Sequence, residues 1–212
     1  MLKIWGRASS VNVQKVLWAA EELGLAYERI DLGGPFGGTD DPAYRAKNPN
    51  GLVPTIEDDG PDGGTVVLWE SNAIVRYLAA RYGSGSLWPE DPAARALSDR
   101  WMDWALTVLG PDMRTLFWGF VRDPVHADVG AMLRAADAAA RAWSLLDAHL
   151  AATGQDFIAG DALTIGDIPA GCFLQRWLSF PLDRPDLPRL AAWHERLAQR
   201  PGYRRHVMVR ME

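Results

Sequence analysis

The sequence predicts an α+β protein, a small βαβ-ββα domain followed by an all-helical domain. Two observations predict it. Short apolar runs bounded by glycine and proline occur only in the first third of the chain, where one helical pattern lies between two of them. Beyond Asp91-Pro92, a capping residue followed by proline at the first helical position, every periodic segment has a helical period. Between these regions lies Gly-Ser-Gly-Ser-Leu-Trp-Pro-Glu, the best linker in the chain. The expected domains are therefore 1–82 and 91–212, joined by a linker at 83–90.

Leu2-Lys3-Ile4-Trp5 is short and apolar and Gly6 ends it, as expected of a buried strand. Ser9, Ser10 and Asn12 are cap-type residues. Val13, Val16, Leu17 and Ala20 follow as one apolar stripe, and Leu23-Gly24 stops the helix. Leu25 to Leu32 reads as a second strand, parallel to the first through a right-handed crossover. Gly33 to Asp41 is loop, and Pro42 to Lys47 has room for one helical turn. Asn48-Pro49-Asn50-Gly51-Leu52-Val53-Pro54 cannot be a helix interior. Thr55 to Glu57 and Val66 to Trp69 then form an antiparallel hairpin across a turn at Asp58 to Gly64. Glu70-Ser71-Asn72 caps a helix whose stripe is Ile74, Val75, Leu78 and Tyr82. In the second domain the patterns predict helices near 92–109, 112–121, 127–152, 165–179 and 187–199. In the third of these, Leu133, Trp143, Leu146 and Leu150 are available for burial. Thr164-Ile165-Gly166-Asp167 has capping-box spacing, with Leu163 and Ile168 at the staple positions.

Composition narrows the functions. The 212 residues carry 48% apolar side chains, ten tryptophans and a net charge of -5 with no basic block. That argues against a nucleic-acid partner. Cys172 is the one cysteine, so no intrachain disulfide forms and a reducing compartment is expected. Met1 to Gly6 shows no signal-peptide apolar region, and no run approaches the ~20 residues of a membrane span. The expectation is a soluble, cytoplasmic protein with no membrane partner.

The chemistry-bearing residues are few. His126, His149, His194 and His206 lack metal-ligand spacing, so no metal site is expected. Cys172 lies among Phe173 and Leu174 as a small buried hydrophobe would. There is no Gly-x-Ser-x-Gly elbow, and the glycine-rich loop lacks the ending of a phosphate-binding P-loop. Three positions remain. Ser10 and Asn12 either cap the first helix or offer a hydroxyl and an amide to a ligand thiolate at its positive end. Glu70 and Ser71 either cap their own helix or hold an amino acid head group. Val53, extended because proline follows it, either enters a strand or pairs its backbone with an extended peptide ligand.

Together these pieces resemble the glutathione transferase family over essentially the whole chain. The residues that carry the resemblance are Ser9 to Val16 running through Glu21-Glu22-Leu23-Gly24-Leu25, then Asn48 to Pro54, Glu70 to Ile74, and Thr164 to Asp167. The resemblance implies a thioredoxin-like first domain, a cis Val53-Pro54 bond, glutathione as co-substrate and a homodimer. It implies Ser10 with Asn12 as the thiolate-activating pair, in the manner of theta- or nu-like bacterial classes. It implies that Val53 and Pro54 hold the cysteinyl part of glutathione, that Glu70 and Ser71 clamp its γ-glutamyl end, and that Asp167 with Thr164 is structural. Several classes place Lys or His just before Val-Pro to bind the glycyl carboxylate. Here Gly51 and Leu52 stand there, which leaves Lys47 or a residue of a dimer mate. Trp104, Met113, Phe117 and Trp118 are candidates by type for lining the electrophile site, or for packing. Three functions follow: transfer of glutathione to a hydrophobic electrophile, glutathione-dependent reduction of a disulfide or peroxide, and a non-catalytic binding module.

Overall fold

The computed structural model describes residues 1–60 and 63–211. The first domain is a four-stranded mixed sheet in the order β2-β1-β3-β4. Its strands are β1 (Leu2–Trp5), β2 (Tyr27–Ile30), β3 (Thr55–Asp59) and β4 (Thr65–Trp69). β1 pairs parallel with β2 across the helix α1 (Val11–Glu22), and antiparallel with β3, which forms the hairpin with β4. The expected turn at Asp58 to Gly64 closes on a Gly60 N–H to Gly64 carbonyl bond of 2.6 Å; Pro61 and Asp62 within it lie outside the described residues. A single turn, α2 (Pro42–Arg45), precedes the Val53-Pro54 loop, and the Val53-Pro54 bond is cis. α3 (Ser71–Tyr82) packs beside α1.

α1 is buried on more than the one face its stripe shows. Val13, Val16, Leu17 and Ala20 enter the core of the sheet domain, while Trp18 and Ala19 enter the helical core. A helix apolar on both sides belongs between two layers. α1 accordingly joins the domains, packing on α3, α7 (Asp167–Leu178) and α9 (Pro201–His206). Two arginine ion pairs tie its end to the last helix, Glu22 with Arg200 and Glu21 with Arg205 at 3.0 Å, and Glu21 also hydrogen-bonds the His206 ring at 2.7 Å.

The helical domain departs from the pattern in several places. The expected break between the first two helices is absent. α4 (Pro92–Trp104) and α5 (Gly110–Phe117) are joined by a π-helical turn over Ala105–Leu109, and a second π turn over Trp118–Arg122 extends α5. Pro111 has no N–H to give, and the wider turn just before it absorbs the missing bond without ending the helix. α6 (Val129–Thr153) buries Trp143, Leu146 and Leu150 but leaves Leu133 65% exposed, because Ala135 and Ala139 take the inward positions there. α8 (Pro188–Gln199) matches its pattern, while the short α9 has no periodic signal of its own. In α3, Tyr82 is 40% exposed instead of completing the stripe; its hydroxyl donates to Asp58 at 2.8 Å. Among the described residues no helix is long and apolar enough to cross a membrane.

At the start of α7, the Asp167 carboxylate accepts from the backbone N–H groups of Ile158 at 3.0 Å and Thr164 at 2.9 Å. It also accepts from the Trp193 indole at 3.0 Å and the Thr164 hydroxyl at 3.2 Å. Burial pushes the Asp167 carboxyl up, and these donors oppose the shift. The helix begins later than the expected capping box, at Asp167 with Gly166 as N-cap and no side-chain cap, so Leu163 and Ile168 are both buried but do not flank the cap as a staple would.

Candidate active site

The site is built at the N-terminus of α1. Ser10 is the N-cap, with an extended backbone, and its carbonyl accepts from the Gln14 N–H at 2.9 Å. The Ser10 side chain makes no capping bond, against the capping alternative. No acidic residue occupies the first turn. Among the described residues the hydroxyl takes no capping bond, and the dipole of the helix start favours a negative group there.

Asn12 is held from two sides. Its Oδ1 accepts from the Lys15 ammonium at 2.9 Å and from the Ser71 hydroxyl at 3.3 Å. Lysine has donors only, so the amide oxygen must face it, and the NH₂ end turns the other way with no partner among the described residues. Lys15 is 1% exposed and sits 4.7 Å from the centre of the Phe173 ring. Burial lowers its pKa to about 8, with the Arg176 guanidinium pushing the same way and the Glu70 carboxylate opposing.

Glu70 and Ser71 open α3 beside this point. Glu70 has φ 72, the one positive-φ residue other than glycine among the described residues. Such a backbone costs on the order of 1–3 kcal/mol and persists only where the surroundings impose it. It makes no side-chain cap, so the expected capping role fails here too. Ser71 is buried and spends its hydroxyl proton on Asn12, across 59 positions of sequence. Asn72 reaches the other domain, donating to the Met102 carbonyl at 2.9 Å.

The Val53 loop is braced from below. The Tyr44 hydroxyl donates to the Leu52 carbonyl at 2.6 Å and lies 2.8 Å from Thr55 Oγ1, and Asn48 donates to the Leu52 carbonyl at 2.8 Å. Burial pushes the Tyr44 hydroxyl up, so it stays a donor at neutral pH. The Val53 N–H and C=O take no partner among the described residues. Gly6 explains how this loop approaches α1. A Cβ there would lie 2.5 Å from Val13 Cγ2 and 3.1 Å from the Val53 Cβ, so only glycine admits both.

The other expected residues are placed unevenly. The Lys47 ammonium pairs with Glu57 and sits 4.5 Å from the centre of the Trp5 ring. Met113 is 1% exposed in the helical core, and Trp104 meets Trp101 at 5.1 Å and Trp143 at 6.2 Å there, both edge to face. Trp118 is 57% exposed, in a surface hollow with Arg114 and Met132. Phe117 is the one that connects to α1. Its ring lies 4.3 Å from the Arg176 guanidinium, which donates to the Ser9 carbonyl at 3.1 Å.

Lys15 and Arg176 escape a reading of the sequence. Their signal is a single cation inside a run of otherwise buried residues, which a periodicity count passes over as tolerable noise. Among the described residues no cluster of His, Cys, Asp and Glu could hold a metal. Burial pushes the Cys172 thiol up to about 12, so it is no nucleophile at neutral pH.

Known proteins bear on this geometry. Residues 9–81 match the glutathione S-transferase N-terminal domain and residues 101–201 match the glutathione S-transferase C-terminal domain. The chain is 42% identical to the Escherichia coli glutathione S-transferase GstB over 213 residues, covering 99% of each. The crystal structure of a theta class glutathione S-transferase from Xanthomonas axonopodis pv. citri, with glutathione bound, is 48% identical with a TM-score of 0.92. That match covers 100% of this chain and 99% of the other. A glutathione transferase family member from Pseudomonas fluorescens, solved with two glutathione bound, is 25% identical with a TM-score of 0.87 and covers 99% and 93%.

Proposed function

The chain belongs to the glutathione S-transferase family, and we propose that it transfers the glutathione thiolate to an electrophilic carbon. One observation carries this reading. The Asn12 carboxamide, oriented by Lys15 and Ser71, stands with the free Ser10 hydroxyl at an uncapped helix start.

Glutathione lies with its cysteinyl backbone along Val53 and Pro54, where a free N–H and C=O offer one donor and one acceptor. Glu70 and Ser71 receive the γ-glutamyl head group. Ser10 and the Asn12 NH₂ donate to the sulfur. Donors aimed at the thiolate favour the charged form and lower the thiol pKa, with the helix end adding about 0.3–1 kcal/mol. The thiol proton leaves to solvent. Sulfur then forms a bond to the electrophilic carbon, and the leaving group departs with its electron pair. Lys47 contributes to the glycyl end only by leaving Glu57. Phe117, beside Arg176, offers apolar contact to the acceptor.

The test is a glutathione titration followed by tryptophan fluorescence, with thiolate absorbance recorded against pH at saturation. We expect saturable binding and a bound thiol pKa at least about one unit below that of free glutathione, a shift worth about 1.4 kcal/mol. Asn12→Ala should return the pKa toward the free value. Binding with an unshifted pKa would remove Ser10 and Asn12 from the mechanism. No binding at all would leave a non-catalytic module.

A further inference from the structure

Three arginines converge beside the α1 start without a carboxylate to neutralise them. Arg176 is only 7% exposed and donates to the Ser9 carbonyl at 3.1 Å. Its guanidinium lies 4.3 Å from the Phe117 ring centre, and that of Arg122 lies 5.4 Å from the same ring. The two cations thus share one aromatic. Arg7 belongs to the same loop as Ser9 and Ser10, and its carbonyl accepts from the Ser10 N–H at 3.2 Å. Its side chain lies flat on Gly33 and Gly34, where an added Cβ would come within 3.3 Å of the guanidinium. Its buried Nε has no partner among the described residues.

Such a cluster is unfavourable by itself. Burial disfavours the charge on Arg7 and on Arg176, and Arg122 pushes both further the same way. Among the described residues, none of the three forms a salt bridge; the carboxylate next in sequence, Asp123, is engaged with His126 at 2.9 Å. Arginine keeps its proton at any physiological pH, so the cluster stays cationic and an anion relieves it. The bond to Ser9 gives Arg176 a place in the fold, but it calls for no further cations beside it, and Arg7 and Arg122 add repulsion there.

We propose that Arg7, Arg122 and Arg176 form a binding site for a carboxylate on the acceptor, so that this protein takes anionic electrophiles. This rests on the transferase reading above and replaces a purely hydrophobic acceptor with one that carries its charge beside an apolar or aromatic body. The aromatic body packs beside Phe117 while the carboxylate meets the guanidinium groups gathered on that ring, in the paired geometry that arginine and carboxylates favour. The acceptor's reactive carbon then lies over Ser10 and Asn12. With a chloroarene the C–S bond forms, the C–Cl bond breaks and chloride leaves with the electron pair.

The experiment compares 4-chloro-3,5-dinitrobenzoate with its methyl ester, each rate divided by the uncatalysed rate with glutathione. The wild-type protein should prefer the acid by about tenfold or more, and added salt should erode that preference. Arg122→Gln, at a half-buried position, should cut the acid-over-ester ratio by about tenfold. Arg7→Gln provides the same readout if the first variant folds poorly. An ester preference in the wild type overturns the proposal. So does an unchanged ratio in both variants with a raised glutathione KM, which would assign the cluster to the tripeptide's own carboxylate. If neither acceptor turns over, the transferase reading has failed, and binding of 3,5-dinitrobenzoate decides the anion site separately. Tryptophan quenching should then show tighter binding of the acid than of its amide, lost in Arg122→Gln. Equal binding of acid and amide overturns the site.

Discussion

The starts of α1 and α7 use the same residue types to opposite ends. Each gathers Ser or Thr with Asn or Asp at a helix N-terminus, and each lies at the boundary between the domains. At α7 every acceptor is consumed: the Asp167 carboxylate takes two backbone N–H groups, an indole and a hydroxyl. At α1 the Ser10 side chain makes no capping bond, and Asn12 engages only its oxygen. A polar group satisfied from within is part of the scaffold. A polar group that is oriented but has spare donors is preorganised for something outside the chain. The cost of that preorganisation is visible at Glu70, held at positive φ, and at Lys15, buried with its charge disfavoured.

The most damaging way to break the comparison is at the satisfied end. Asp167→Ala takes the acceptor from three buried donors, and should cost about 3–5 kcal/mol in a urea or thermal melt. A melt within about 1 kcal/mol of wild type would show that α7's start is not the scaffold element its bonding implies. At the other end the expected signature is reversed. Ser10→Ala removes a hydroxyl with no capping partner, so stability should move by no more than about 0.5 kcal/mol. Conjugation should nevertheless fall about tenfold or more at saturating glutathione. Equal losses of stability and activity would make Ser10 an ordinary cap.

The smallest effect concerns Lys15, and its sign differs from that of a paired cation. Its folded pKa, about 8, lies below the unfolded value of 10.5. Between those values the unfolded chain binds the extra proton, so stability rises with pH, by up to about 1.4 kcal/mol per unit. Cys172 opposes this from about pH 9 upward, because its thiol is pushed from 9.0 to about 12 and only the unfolded chain releases that proton. The net rise is confined to roughly pH 8–9 and amounts to about 1 kcal/mol. In Lys15→Met the urea midpoint should stay flat over that interval and fall above it. A wild-type midpoint that does not rise between pH 8 and 9 would mean that Lys15 is not the buried, uncompensated cation described here.

Much of this was legible in the residues. The βαβ unit, the hairpin and the α6 to α8 helices follow from periodicity and from glycine, proline and capping residues at their ends. The Val53, Glu70, Ser71, Ser10 and Asn12 positions were legible too, as candidates each with an ordinary turn or cap as alternative. Where the pattern misled, a non-local contact overrode it. Tyr82 left the apolar stripe for Asp58, and Leu133 yielded the inward face to alanines that let α5 and α6 approach. The continuous run from α4 through α5 was hidden because Gly110-Pro111 is a strong local stop signal, and only a π turn allows the helix to pass it.

The sequence by itself determined the four strands, most of the helices, the order of strands before helices and the short list of polar residues at helix starts. Those are consequences of backbone sterics and of spacings within about one helical turn, which a single chain carries in its own order. The tertiary structure decided which of those residues lie together as a candidate site. Ser71 reaches Asn12 across 59 positions and Arg176 reaches Ser9 across 167. Whether a hydroxyl caps its own helix or stays free, and whether a buried cation finds a carboxylate or only other cations, depends on which side chains the packing brings within hydrogen-bond reach. No spacing along the chain encodes that, because the partners are far apart in sequence and adjacent only in the folded packing around α1.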